Sequence, residues 1–324
     1  MPDSVSPYFY LGFLAFVVLM LALDLGVFHK KAHTPSFKEA LSWTAVWSTL
    51  AVLFGGVVGW RFGTAAAVDY YTAWLIEQSL SIDNIFVFVI IFAALKIPPI
   101  LQHRVLFWGV LSAVVLRAIM IFGGVLLIER FQWILYVFGA CLVLTGIKLV
   151  ASKAQGPTQK ESRALQWLRR RIPTAGFDGQ RFFTRVNGRL FATPLFLALL
   201  LVEITDVVFA VDSIPAVFAV TTNPFLVFTS NVFAILGLRS LYFVLAGMAD
   251  RFVYLKPGLG IVLGFVGTKL LLHGVIKVPS LVSLAVIVVV IGGAILLSLR
   301  RRTNSPVPSA HITGCSAAAI TLPK

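Results

Sequence analysis

The chain has 324 residues, of which 59% are hydrophobic and only 12% charged, and its mean hydropathy is +0.93. A soluble domain carries about 45–50% apolar and about 25% charged residues, so a water-soluble enzyme and a disordered chain are nearly excluded. Yet the net charge is +14, from 27 Lys and Arg against 13 Asp and Glu, which leaves a basic nucleic-acid binder or a polytopic membrane protein with cations in its cytoplasmic loops.

A spanning helix needs roughly 20 mostly apolar residues. Nine stretches meet that demand: Pro7–Phe28, Ala40–Trp60, Tyr71–Leu95, Val105–Ile128, Trp133–Val150, Leu195–Val220, Leu226–Ala249, Gly258–His273 and Leu281–Leu299. The eighth is the shortest. No Lys or Arg precedes the first and no small-residue cleavage pattern follows it, unlike a signal peptide. Lys30, Lys31 and Lys38 follow span one, and Lys96 and Arg104 follow span three. The Lys148–Arg189 region holds ten basic residues, and Arg300, Arg301 and Arg302 close span nine. Arg251 and Lys256 follow span seven, and each remaining connection carries one basic residue or none. This alternation places the N-terminus outside and the C-terminus in the cytoplasm. At least 21 of the 27 cations then fall in cytoplasmic loops or the tail, so the charge reports orientation and not a nucleic-acid partner.

The expected organisation is two helices over 7–60, a three-helix unit over 71–150, a basic cytoplasmic loop over 151–192, a second three-helix unit over 193–275 and a final helix over 279–299. A Ser/Pro/Ala-rich tail over 303–324 reads as disordered. Within the loop, Lys160–Arg171 reads equally as an interfacial helix or as solvated chain. Cys141 in an apolar run and Cys315 in the tail are expected to be free thiols.

The two three-helix units resemble each other. Glu77, Asp83 and Asn84 recur as Asp206, Asp212 and Ser213, and Leu116-Arg117 recurs as Leu238-Arg239. Glu129-Arg130-Phe131 recurs as Asp250-Arg251-Phe252, and Gly146-Ile147-Lys148 as Gly267-Thr268-Lys269. A repeat of three spans enters the membrane from opposite sides. It is therefore an inverted repeat, a plan of secondary transporters that places the site between the copies.

Asp24, Glu77, Asp83, Glu203, Asp206 and Asp212 fall inside apolar spans, against two guanidinium groups, Arg117 and Arg239. A charge at mid-bilayer costs at least about 2.5–3.5 kcal/mol, so such residues are site candidates. The formal surplus of negative charge asks for protons, cations or both. Asn84, Ser79, Thr205 and Ser213 add neutral oxygens, with no Cys or His among them, which favours a hard divalent cation such as Mg²⁺, Ca²⁺ or Mn²⁺. Asp24, Arg117 and Arg239 read as structural ion-pair residues. Carboxylates six residues apart diverge by about 120° on a straight helix. Either the helices are interrupted, as Pro215 indicates for the second copy, or the acids are successive stations. Gly55/Gly59 and Gly260/Gly264 read as helix-packing patterns. No nucleotide-binding loop or hydrolase motif occurs, so the chain is not expected to be an enzyme. An intramembrane aspartyl hydrolase would want a G-x-G-D motif, which is absent.

The stretch Glu77–Asn84, together with Val202–Ala216 and Ser230–Arg239, resembles the TerC/Alx family of integral membrane proteins. The resemblance runs from about Pro7 to Arg300. Gln78 departs from it, standing where relatives carry Lys. The resemblance implies an all-α polytopic protein of the bacterial inner membrane that exports Mn²⁺ and is grouped with LysE-type exporters. By the same resemblance, the acids of the two motifs are the ion-binding set. The assigned metal residues are then Glu77, Asp83, Asn84, Glu203, Asp206, Asp212 and Ser213. Mn²⁺ is cargo rather than a resident cofactor, and protons are the expected counter-ion. The alternative is a non-transporting scaffold that supports tellurite or redox-stress resistance, or metal delivery to secreted metalloenzymes.

Overall fold

A computed structural model describes residues 6–23, 36–131, 133–151, 171–186, 188–246, 254–272 and 278–300, without the side chains of Asp83, Phe86, Lys256 and Leu299. Among the described residues there are nine helices: α1 (Pro7–Leu23), α2 (Phe37–Phe62), α3 (Thr64–Ala94), α4 (Pro99–Arg130), α5 (Ile134–Ala151), α6 (Pro194–Phe218), α7 (Pro224–Ala246), α8 (Leu255–Leu271) and α9 (Ser280–Arg300). Seven are long and apolar enough to cross a bilayer, and α1 and α8 are shorter apolar helices. The protein is thus an all-α membrane protein. Trp60 is 86% exposed, and Val289, Leu281 and Leu126 also face outward, as suits a lipid-facing surface.

Two helices begin earlier than the apolar pattern predicts. α3 starts at Thr64, directly after Gly63, whose φ of +92° is open to glycine at low cost. α4 starts at Pro99, where proline's missing N–H is no loss in the first turn. Hydropathy stops at polar residues such as Asp69 and Arg104; backbone hydrogen bonding does not. α2 opens with a capping box in which Ser36 and Glu39 bond each other's backbone N–H groups.

The expected interruption at Pro215 does not occur, and α6 runs unbroken to Phe218. Pro215 lies in the last turn, and its own carbonyl accepts from the Ala219 N–H. The missing N–H therefore leaves one carbonyl without its intrahelical partner and does not break the helix. The described part of the 151–192 segment is not simple loop either. Strands β1 (Phe183–Val186) and β2 (Arg189–Ala192) form an antiparallel hairpin, with Gly188 at φ +76° between them. The hairpin docks on the helices. Phe183 stacks near Phe196 at 4.5 Å, the Arg104 guanidinium lies over Phe182, and Arg104 Nη1 donates to Gln180 Oε1. The proposed interfacial helix up to residue 170 and the 303–324 tail lie outside the described residues.

α7 is the central helix, buried on nearly every side from Phe225 to Leu238. It runs parallel to α3: Tyr70 reaches it through Phe54, which pairs with Phe225 and Phe233, and Phe92 meets Tyr242 twenty residues on. It runs antiparallel to α4, because Phe122 meets Phe228 whereas Val110 lies beside Ile235 and Leu238. α5 and α8 pack closely through glycines. A Cβ on Gly146 would sit 2.6 Å from the Gly260 carbonyl oxygen, and one on Gly267 would sit 2.8 Å from that of Gly139. Gly146 faces Gly260 while Gly139 faces Gly267, so the two helices are antiparallel. Small residues let the backbones approach this closely, as helix association in lipid favours.

Candidate functional site

Arg117 of α4, 2% exposed, is the organising side chain. Its Nη1 donates to Glu77 Oε2 of α3 at 2.9 Å and to Ser213 Oγ of α6 at 3.0 Å. Its Nη2 and Nε grip Asp206 of α6 at 2.9 and 3.2 Å, a two-pronged contact that fits the planar guanidinium. Three helices are joined at one cation. Two carboxylates against one guanidinium leave the cluster a formal negative charge. Glu77 Oε1 is buried with no hydrogen-bond partner.

Two further acids sit on either side of this cluster along α6. Glu203 Oε1 accepts from Ser112 Oγ of α4, and its Oε2 is buried without a partner. Asp212 is half-buried, and its Oδ1 accepts from Thr145 Oγ1 of α5 at 3.3 Å. Asp206 and Asp212 therefore address different neighbours, as their six-residue spacing on an unbroken helix requires. The acids are successive stations along α6, about 4.5 and 9 Å apart axially at 1.5 Å per residue.

Of the residues expected to hold metal, Glu77, Asp206 and Ser213 are brought together, but around Arg117. Glu203 and Asp212 stand apart from them. Asn84 is buried on α3 with its Oδ1 unpartnered. Among the described residues no three His, Cys, Asp or Glu side chains come close enough to share an ion. The Asp83 side chain and Asp24 lie outside the described residues. Arg117 is ion-paired with Glu77 and Asp206, and Arg239 is half-buried on α7. Ser79 and Thr205 bond back to carbonyls of their own helices. Cys141 is free and exposed.

A cavity of about 640 Å³ opens where α4, α6 and α8 end and α5 and α9 begin. Glu129, Thr221, Thr222, Lys269 and Ser280 bring polar groups into it. Lys269 Nζ donates to Ser283 Oγ of α9. The hairpin covers the opposite end, where α3 stops and α4 and α6 start. There its Phe182, together with Ile172, packs against the apolar cluster that includes Leu95, Ile97 and Leu195. Among the described residues, one end of the bundle thus holds an open, partly polar cavity, and the other is covered by the hairpin.

The model of the Integral membrane protein TerC family matches residues 62–305, three-quarters of the chain. The chain belongs to the TerC family. The match takes in α3 to α9, and so every acid of the site. An uncharacterized membrane protein of Myxococcus xanthus is 56% identical over 310 residues, covering 95% of this chain and 97% of its own. Alx of Salmonella typhi is 46% identical and Alx of Escherichia coli K12 is 47% identical, each over 87% of this chain and 91% of the relative. Both carry the provisional name membrane-bound redox modulator. No solved structure matches.

Three polar side chains escaped the sequence reading: two hydroxyls that hold acids of this TerC-family site, and one buried amide on α7. Ser112 and Thr145 are lone hydroxyls in apolar helices, a setting in which most bond back to their own backbone. Asn231, in the middle of α7, is an amide in an apolar run. That position was itself the signal that could have found it.

Proposed function

We propose that this protein is a secondary transporter that exports a hard divalent cation, with Mn²⁺ as cargo, in exchange for protons. The observation that carries the proposal is the series of buried acids along α6. Glu203 is held by Ser112, Asp206 by Arg117 together with Glu77, and Asp212 by Thr145. Acids in a membrane interior face function more often than packing. Oxygen donors without sulfur or imidazole match hard cations.

The reciprocal glycine contacts of α5 and α8 support a two-fold relation between the halves. Gly139 and Gly146 correspond to Gly260 and Gly267 at one offset in the sequence, and each touches the other's counterpart. Glu77 and Asp206, which occupy equivalent places in the two units, meet at the same guanidinium. On the orientation that the loop charges favour, the 640 Å³ cavity faces outside and the hairpin faces the cytoplasm. The cargo-free protein is then open outward. Arg117 stands in for the ion at the central station, and protons or the arriving cation exchange against it. The acids of the first and second motifs, Asp83 among them, form the path.

Cells that accumulate Mn²⁺ provide the test. Expression of the wild type should lower cell-associated Mn²⁺ and raise Mn²⁺ tolerance, and Asp212→Asn should do neither while reaching the membrane at the same level. An Asp212→Asn protein that protects like the wild type would sink the proposal. The names of the Alx relatives favour a second reading, a membrane component in redox stress. Under that reading neutralising the acids is harmless, whereas replacing the docked hairpin removes the phenotype.

A further inference from the structure

Asn231 is the most conspicuous buried polar group outside the acidic series. It is 1% exposed, and both its amide oxygen and its amide nitrogen lack a hydrogen-bond partner. A primary amide buried without partners destabilises the fold, a cost that a ligand would relieve. Its place on α7 shows what it faces. Asn231, Ile235, Leu238 and Tyr242 follow the i, i+4, i+7, i+11 spacing of one helix stripe. Tyr242 packs on Phe92 of α3 with ring centroids 5.5 Å apart. Ile235 and Leu238 line a small void together with Phe88 of α3, Val110 and Ala113 of α4, and Asp206 of α6.

The facing stripe of α3 is Glu77, Ser81, Asn84, Phe88 and Phe92, all buried. α3 and α7 are parallel: eleven residues back from the Phe92–Tyr242 pair Asn231 is level with Ser81, and one turn back from the void it is nearer Asn84, so it lies between the two. α4 is antiparallel to α7, and one turn along it from Ala113 is Arg117. On α6, Ser213 reaches this layer through its bond to Arg117. Four helices thus place Asn84, Arg117, Ser213 and Asn231 within about one turn of one another, with Glu77 two turns from Asn84 on α3. Three unpartnered oxygen-bearing groups line this stretch of the seam: Asn231, Asn84 Oδ1 and Glu77 Oε1.

We propose that Asn231 is a cation-binding residue, and that its amide oxygen and Asn84 Oδ1 form a neutral, oxygen-only subsite for a divalent cation on the α3–α7 seam, beside the Glu77 carboxylate. The inference rests on the transport reading and deepens it. It adds a neutral ligand from a helix that carries none of the assigned acids. Amide oxygens beside a carboxylate suit a hard cation that sheds part of its water. The charge left over at Glu77 and Asp206 after pairing with Arg117 keeps the subsite attractive to a cation. The apolar side chains of the next layers, Phe88, Phe92 and Tyr242, close it toward the hairpin end.

The test measures Mn²⁺ binding to the purified full-length protein in detergent, beside thermal unfolding of the metal-free form. Asn231→Leu should weaken Mn²⁺ binding at least about tenfold, in the range seen when groups supporting a metal are removed. The same variant should unfold at or above the wild-type temperature without metal, since it deletes an unsatisfied amide. Asn231→Asp should keep binding within about threefold, because it restores an oxygen ligand. If Asn231→Leu does not fold, Asn231→Ser supplies the same binding test. Wild-type Mn²⁺ affinity in a folded Asn231→Leu or Asn231→Ser protein would overturn the inference, and Asp212→Asn then reports separately on the transport reading. A wild-type protein that neither binds nor moves Mn²⁺ would overturn that reading itself.

Discussion

Arg117 holds two carboxylates from two helices, so deleting it strands both charges in a membrane interior. Arg117→Leu should destabilise the protein by about 3–5 kcal/mol, the cost typical of breaking a buried pair from one side. Neutralising the whole cluster, as Arg117→Met with Glu77→Gln and Asp206→Asn, should recover most of that loss. Thermal unfolding in detergent checks both. An Arg117→Leu protein as stable as the wild type would show that water reaches the cluster and solvates the acids. At this scale the sequence showed that the acids and arginines fall within apolar helices, because a charge among Leu, Val and Phe is conspicuous. It did not show which would meet. Glu77 lies 40 residues from Arg117 and Asp206 lies 89 away, so their convergence depends on the packing of three helices. Asp206 and Ser213, seven residues apart on one stripe of α6, are both turned to Arg117. Ser112 and Thr145 were missed because nothing local separates a hydroxyl that reaches across from one that bonds back to its own helix.

Helices α5 and α8 depend on having no side chains where they cross. A Cβ at Gly146 meets the Gly260 carbonyl oxygen at 2.6 Å and the Gly264 nitrogen at 2.8 Å. Neither is a flexible atom that can swing away. Gly146→Leu should therefore cost at least about 1–3 kcal/mol by overpacking and should lower the unfolding temperature. Gly264→Ala, whose added carbon meets nothing within 4 Å, should leave that temperature nearly unchanged. Equal effects of the two would contradict the close α5–α8 crossing. Nine apolar stretches anticipated nine helices among the described residues, because a bilayer demands long unbroken apolar segments. The ends were less legible. α3 and α4 extend past their apolar runs, and the Pro215 break was misjudged because a proline in a helix's last turn does little damage. The hairpin was legible after all: Asn187-Gly188 between Phe183–Val186 and Arg189–Ala192 is a strong two-residue turn signal.

The whole molecule is read as a bundle with a polar cavity at one end and a hairpin across the other. On a background with Cys141→Ser and Cys315→Ser, Thr222→Cys in the cavity wall should react with a membrane-impermeant thiol reagent added outside intact cells. Gln180→Cys, beside the docked hairpin, should react only after the membrane is opened. The reverse pattern would invert the orientation and turn the cavity into a cytoplasmic entrance. The central claim is that the buried acids carry a divalent cation, and the most direct measurement is Mn²⁺ flux through the purified protein in liposomes. It should be made with Ca²⁺, Mg²⁺ and Fe²⁺ as competitors and with a pH gradient imposed or collapsed. Mn²⁺ should move above the level of protein-free vesicles, driven by the proton gradient, and the movement should be lost in Asp212→Asn. Flux equal to protein-free vesicles, or unchanged when Asp212 is neutralised, would contradict it.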